Sequence, residues 1–170
     1  MNNLSLAIAS VSDIVLVDML DAQSPVIASR IGVNQPKDIV LQGGYAYVAA
    51  SGLYQVFNVS DVFNPVAVNT SGNIFPRDAV VRDDLVLFTD RRFPNAVAYM
   101  SKADPNNIRF QGIVDFSSLG NNYDGTGISA DNQYVYTTKD SAVSSNEYGI
   151  DGNTKLFIGQ YKRVVDEKGQ

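Results

Sequence analysis

The chain repeats itself. "LDAQSPVIASRIG", from Leu20 to Gly32, returns as "SDVFNPVAVNTSG", from Ser60 to Gly72. At that spacing of 40 residues Asp21 meets Asp61, Pro25 meets Pro65, Val26 meets Val66 and Gly32 meets Gly72. The same spacing carries into the next segment, where "PKDIVLQGGYAYVAA" from Pro36 lies over "PRDAVVRDDLVLFTD" from Pro76. Pro36 matches Pro76, Asp38 matches Asp78, Val40 matches Val80, and Lys37 faces Arg77. A period of this length, held across unlike segments, marks a fold built by stacking one supersecondary unit.

The content of one period identifies the unit. "DIVLQ", "YAYVAAS", "LYQVFNV" and "PVAVNT" are four short runs rich in Val, Ile, Tyr and Phe. Gly43-Gly44, Ser51-Gly52 and the stretch from Ser60 to Pro65 break them, as hairpin turns do. No window carries an apolar rhythm of 3.6 residues, so helix is expected to be nearly absent. Four antiparallel strands in about 40–45 residues is the arithmetic of a β-propeller blade. The expected fold is therefore all-β, with about four such blades. Their approximate spans are 1–32 (incomplete), 36–72, 76–116 and 123–161, with 162–170 as a closing strand.

The later blades diverge. Asp104 stands where Asp61 did, now 43 residues on, and Ala96 to Phe116 reads as the last two strands of its blade. "SSLGNNYDG" reads as an inserted loop, and "GISADNQYVYTTKD" as two strands around a turn at Asp131-Asn132-Gln133, with Tyr134 in the place of Tyr45. Ser141 to Tyr161 supplies that blade's last two strands. At the start, "LSLAIAS" aligns with a second strand and is read as one, not as a secretory signal, because it lacks a basic leader. At the end, Val164-Val165 lies over Ile39-Val40. Two arrangements stay open: a closed four-bladed ring, or a segment of a larger propeller. Its open blade edges would then pair with a second copy, another protein or the remainder of a longer chain.

The segments "DIVLQGGYAYVAASGLYQVFNVSDVFNP", Asp38 to Pro65, and "DIVLVDMLDAQSP", Asp13 to Pro25, resemble the LVIVD-repeat β-propeller family. "SADNQYVYTTKD" is closer to the YVTN-type propeller motif. The chain departs from the pattern at Asn58, where the motif has Asp, and at Val62-Phe63, where it has a proline. The resemblance implies a propeller and a bacterial or archaeal protein of the cell surface or exterior. It implies no catalytic residues.

Composition narrows the chemistry. The chain of 170 residues is 45% hydrophobic and 18% charged, which suits one globular domain. No apolar run reaches the ~20 residues that cross a bilayer as a helix, so no membrane insertion is expected. Thirteen basic against eighteen acidic residues leave a net charge of −5, and the basic clusters Arg91-Arg92 and Lys162-Arg163 are short. A nucleic-acid surface is not expected from that balance. The chain contains neither histidine nor cysteine. Ser-His-Asp and Cys-His catalysis, and thiolate or imidazole metal sites, are thus closed to it.

Acids remain. Asp38 and Asp78 open equivalent strands, the innermost of their blades. Together with Asp124 they would ring one mouth of a central channel as ligand residues; alternatively Asp38 and Asp78 cap the strand entry by accepting nearby backbone N–H groups. Asp21, Asp61 and Asp104 read as turn residues. Asp124 in "NNYDGTG" and Asp151 in "GIDGNT" lie among oxygen donors that calcium would accept, although neither loop has an EF-hand spacing. Glu147 and Glu167 are the only glutamates, and with no tryptophan the chain has little of a glycosidase. Tyr45, Tyr47, Tyr134 and Tyr136 alternate along strands and read as packing. The "NVS" and "NTS" triplets at Asn58 and Asn69 are glycosylation sequons only in a eukaryotic secretory setting. The functional expectation is a non-enzymatic interaction module or scaffold. Its alternative is a lactonase-like, metal-assisted hydrolase with acids at the channel mouth.

Overall fold

The computed structural model describes residues 5–72, 75–90, 96–102, 104–116, 118, 123–141 and 155–161. They form fourteen strands in four antiparallel sheets. The first sheet holds β1 (Ser5–Ala9), β2 (Asp13–Asp18) and β3 (Val26–Gly32). The second runs β4 (Pro36–Gln42), β5 (Tyr45–Ala50), β6 (Leu53–Asn58) and β7 (Val66–Gly72). The third runs β8 (Pro76–Arg82), β9 (Leu85–Asp90), β10 (Ala96–Ser101) and β11 (Arg109–Asp115). The fourth holds β12 (Tyr123–Ala130), β13 (Tyr134–Ser141) and β14 (Lys155–Gln160). Strand β12 begins at Tyr123, inside the stretch expected to be loop. Val164-Val165, the expected closing strand, lies outside the described residues, as do Arg91-Arg92, Glu147, Asp151, Lys162-Arg163 and Glu167.

Each sheet is a meander, and the sheets succeed one another with first strands adjacent: β4 lies beside β8 and β8 beside β12. Strand β1 pairs with β2 just as β5 pairs with β6, and it packs near β4. It is therefore the second strand of its unit, as the alignment predicts. The central strands of the second and third sheets are covered on both faces, which explains continuous apolar runs where a half-exposed strand would alternate. Strand β9, "LVLFTD", is buried at every position. The outer strands are the exposed ones, and β3 and β7 share one burial pattern residue for residue.

Three apolar clusters fill the spaces between successive sheets. Between the first and second lie Ile14, Leu16, Ala46, Val48 and Phe57. Between the second and third lie Tyr47, Tyr54, Val56, Val86 and Phe88, with the Tyr54 and Phe88 rings stacked 6.1 Å apart. Leu87, Val97, Phe116, Val135 and Phe157 join the third to the fourth. One irregularity recurs: the pairing shifts register at Leu16/Val17, at Val56/Phe57 and at Tyr99/Met100. A bulge at the same place in the first three units adds twist to each of their outer strands.

The turns repeat as closely. Asp21 Oδ1 accepts the Gln23 N–H, Asp61 Oδ1 the Phe63 N–H and Asp104 Oδ1 the Asn106 N–H, each at 3.0 Å. The carbonyl of each aspartate then accepts the amide three residues on, from Ser24, Asn64 and Asn107. These are Asx turns, as expected of all three. Asn58 does what its counterpart Asp18 does, accepting an amide two residues on, so the amide side chain costs the turn nothing. Gly44, at φ +79°, leaves room for Ser60: a Cβ there would sit 2.5 Å from Ser60 Oγ.

Tyr54 is fully buried, and its hydroxyl has no hydrogen-bond partner. Removing only that oxygen lifts a desolvation penalty, whereas removing the ring opens a cavity against Phe88. Urea unfolding should show Tyr54→Phe more stable than the native chain by about 1 kcal/mol. Tyr54→Ala should lose about 3–5 kcal/mol.

Candidate functional site

The acids singled out at the start of the inner strands face the neighbouring sheet. Asp38 lies in β4 opposite Ala49, at a point where the pairing slips by one residue after Pro36. Asp78 follows Pro76 in β8 at the same kind of slip. Proline cannot donate to the ladder, so the strand entry bends there and the pairing slips beside each aspartate.

Every oxygen of the two carboxylates accepts a backbone amide. Asp38 Oδ1 accepts the N–H of Ile39 at 2.8 Å, and Asp38 Oδ2 crosses to the third sheet to accept the N–H of Ala79 at 2.8 Å. Asp78 repeats the pattern. Its Oδ1 accepts the Ala79 N–H at 3.0 Å, and its Oδ2 crosses to the fourth sheet to accept the Ile128 N–H at 2.9 Å. The local half of this arrangement is the strand-entry cap expected from sequence. The crossing half was not legible there, because it joins residues 41 and 50 positions apart.

The Ala79 amide therefore serves two carboxylates at once. Burial first, and then the adjacent Asp38 carboxyl, push Asp78 up to about 6, while the Ile128 and Ala79 amides pull the other way. At neutral pH two negative charges meet over one N–H. Below about 6 Asp78 carries a proton that can bridge them.

Asp124 does not belong to this set. The residue at the register position of Asp38 is Gly127: it faces Thr138 as Asp38 faces Ala49, again just after a slip in pairing. A Cβ at Gly127 would lie 2.9 Å from Thr138 Oγ1 and 3.8 Å from Asp78 Oδ2. Asp124 sits three positions earlier, paired with Asp140 across β12 and β13. The acids expected at one mouth are thus two neighbours in a ladder and a third residue elsewhere on its strand.

A second ladder, missed by sequence reasoning, joins the outer strands to the turns of the next sheet. Ser29 Oγ donates to the Val62 carbonyl at 2.6 Å, and Asn69 Nδ2 donates to the Asn106 carbonyl at 2.9 Å. Ser29 and Asn69 are 40 residues apart, so the repeat itself held the signal. The tyrosines divide. Tyr47 is core, but Tyr134 is exposed, and the Tyr136 hydroxyl donates to Asp131 Oδ2 at 2.7 Å on an open face. Packing was expected of all four; Tyr134 and Tyr136 lack a described sheet above them.

No family model matches the sequence, and no curated protein matches it. Solved structures do match the architecture. The N-terminal domain of Nup159, a β-propeller, superimposes with a TM-score of 0.64 at 7% identity, over 94% of this chain and 43% of that one. The fold is a β-propeller. A chain of the S. cerevisiae complex of Dbp5 with Nup159 and Gle1 gives 0.64 at 7% identity, over 91% and 41%. The computationally designed Ika4 protein gives 0.58 at 12% identity, over 92% and 86%. The chain thus spans well under half the length of the first two.

The raised value of Asp78 sets a pH dependence. An unfolded aspartate titrates at 3.8, so folding takes up a proton between there and about 6. The stability this gives is complete below 3.8 and is lost as pH rises through 6. Asp78→Asn keeps an acceptor for Ile128 and cannot ionise. The urea midpoint of the native chain minus that of the variant should therefore fall as pH rises from about 4 to about 7. A difference that stays constant would show that folding does not raise Asp78.

Proposed function

We propose that this chain is a non-enzymatic β-propeller module of an exported or cell-surface protein, serving as an interaction platform or scaffold. The observation that carries the reading is the use made of the acids. All four oxygens of Asp38 and Asp78 accept backbone amides, one of each pair capping its own strand and the other tying that blade to the next. A residue needed by every blade interface recurs by necessity, and that accounts for the repetition without a ligand. The LVIVD-type segments from Asp13 to Pro25 and from Asp38 to Pro65 support the exported placement, through the family they resemble. A protein partner accords with the Nup159 complex, in which a propeller of like architecture stands beside Dbp5 and Gle1.

The competing reading is a metal-assisted hydrolase working through Asp38, Asp78 and Asp124, or a calcium-binding propeller. A cation at Asp38 and Asp78 would have to share each oxygen with an amide it already accepts. Thermal unfolding with calcium, magnesium, manganese or zinc separates the readings, since a ligand of the native state raises its melting temperature. No ion should move the midpoint. A rise with one of them, lost in Asp38→Ala with Asp78→Ala, would instead establish the metal site. Protease added to intact source cells should remove the protein while sparing a cytoplasmic control, and full protection would sink the surface placement.

A further inference from the structure

Every contact between blades joins two different faces. In the first three sheets the face turned toward the next blade carries equivalent residues of the second and third strands. On the third strand these are Ile14 and Leu16, then Tyr54 and Val56, then Val97 and Tyr99, all nearly or fully buried. The register places Leu156 and Ile158 of β14 at the same positions, opposite Thr138 and Tyr136 as Tyr54 and Val56 lie opposite Ala49 and Tyr47. Yet Leu156 is 63% exposed and Ile158 55%.

The opposite face shows the same break at the other end. Toward the preceding blade, the second strands present Ala46 and Val48, Val86 and Phe88, then Val135 and Thr137, none more than 1% exposed. Their counterparts in β1 are Leu6 and Ile8, opposite Val17 and Val15. Both are 47% exposed. Two large apolar residues at each end thus stand open where their equivalents are core. Among the described residues the first and fourth sheets do not cover each other, so the described strands form an open arc.

We propose that two copies of this chain join head to tail, the Leu156 and Ile158 face of each seated on the Leu6 and Ile8 face of the other. Among the described residues, what covers such a face is the opposite face of another blade, and it does so three times. A second copy carries that surface with the same residue chemistry. Because the contact is heterologous, two such contacts related by a twofold axis close a ring, whereas a single copy leaves both ends open. The assembly goes beyond the platform reading above and does not depend on it.

Sedimentation equilibrium on the 170-residue chain tests this. The expected mass is twice the 18.4 kDa of one chain. Ile8→Lys and Ile158→Lys, each on an exposed position, should both sediment as single chains. Mixed in equal amounts they should assemble again, because the native tail of the first meets the native head of the second. A native chain that stays single would overturn the proposal, and so would growth beyond two copies or a mixture that stays single. Should a variant fail to fold, hydrogen exchange of the native chain reads the same faces: protection in β1 and β14 must fall on dilution, and concentration-independent exchange would count against assembly.

Discussion

The structure depends on a mismatch between what one sheet makes and what it can cover. Each unit is apolar on both faces, and in the second and third sheets the central strands are mostly buried. A lone sheet of this kind leaves its core in water, and two in contact still leave two faces open. Only stacking in series removes the cost from each interior unit, at roughly 25 cal/mol for every Å² of apolar surface withdrawn from solvent. The cost collects at the ends of the series. That is why Leu6 and Leu156 stand in water while Ala46 and Tyr54, at the same positions of the second unit, do not.

Apolar faces do not set where one sheet sits on the next, since they slide. The aspartates do. Asp38 and Asp78 each hold one amide of their own strand and one of the neighbour's, so the height of each inner strand is fixed against the last. Carboxylates suit the task because charge-assisted bonds to N–H are short and strong. The same choice brings two charges together over Ala79. Burial, and then the neighbouring carboxyl, let Asp78 hold its proton to about 6. Precision in the stacking and sensitivity to pH have one origin.

This division also explains what the sequence displayed. The period was visible because each unit needs the same turns, and Asx turns put aspartate at Asp21, Asp61 and Asp104 for reasons confined to a few residues. The strand runs were visible because β-branched and aromatic residues suit a sheet covered on both sides. The partners of Asp38 and Asp78 were hidden, since Ala79 and Ile128 contribute a backbone N–H that any residue but proline has. Gly127 was hidden for a different reason: its equivalence to Asp38 appears only once the pairing with Thr138 is known. Tyr134 and Tyr136 looked like Tyr45 and Tyr47 because a repeat records the local unit and not whether a neighbour lies above it.

The contact between the third and fourth sheets shows how far the repeat can erode before stacking fails. Gly112 faces Tyr99 as Ser29 faces Leu16 and Asn69 faces Val56, so it stands where the outer ladder has its donors. It has no side chain to offer, and a Cβ would meet the Tyr99 hydroxyl at 2.8 Å. Aromatic packing takes over. Phe116 and Phe157 meet at 5.5 Å between ring centroids and Tyr99 and Tyr161 at 6.4 Å, while the Tyr161 hydroxyl donates to the Asp131 carbonyl. Gly159 completes the fit, for a Cβ there would run 2.4 Å from Val114 and 2.7 Å from Phe116. A lost directional bond is replaced by shape, and shape tolerates no added methyl group. Ser29 and Asn69 differ and still do one job, whereas Gly112 and Gly159 are each held in place by the ring they admit.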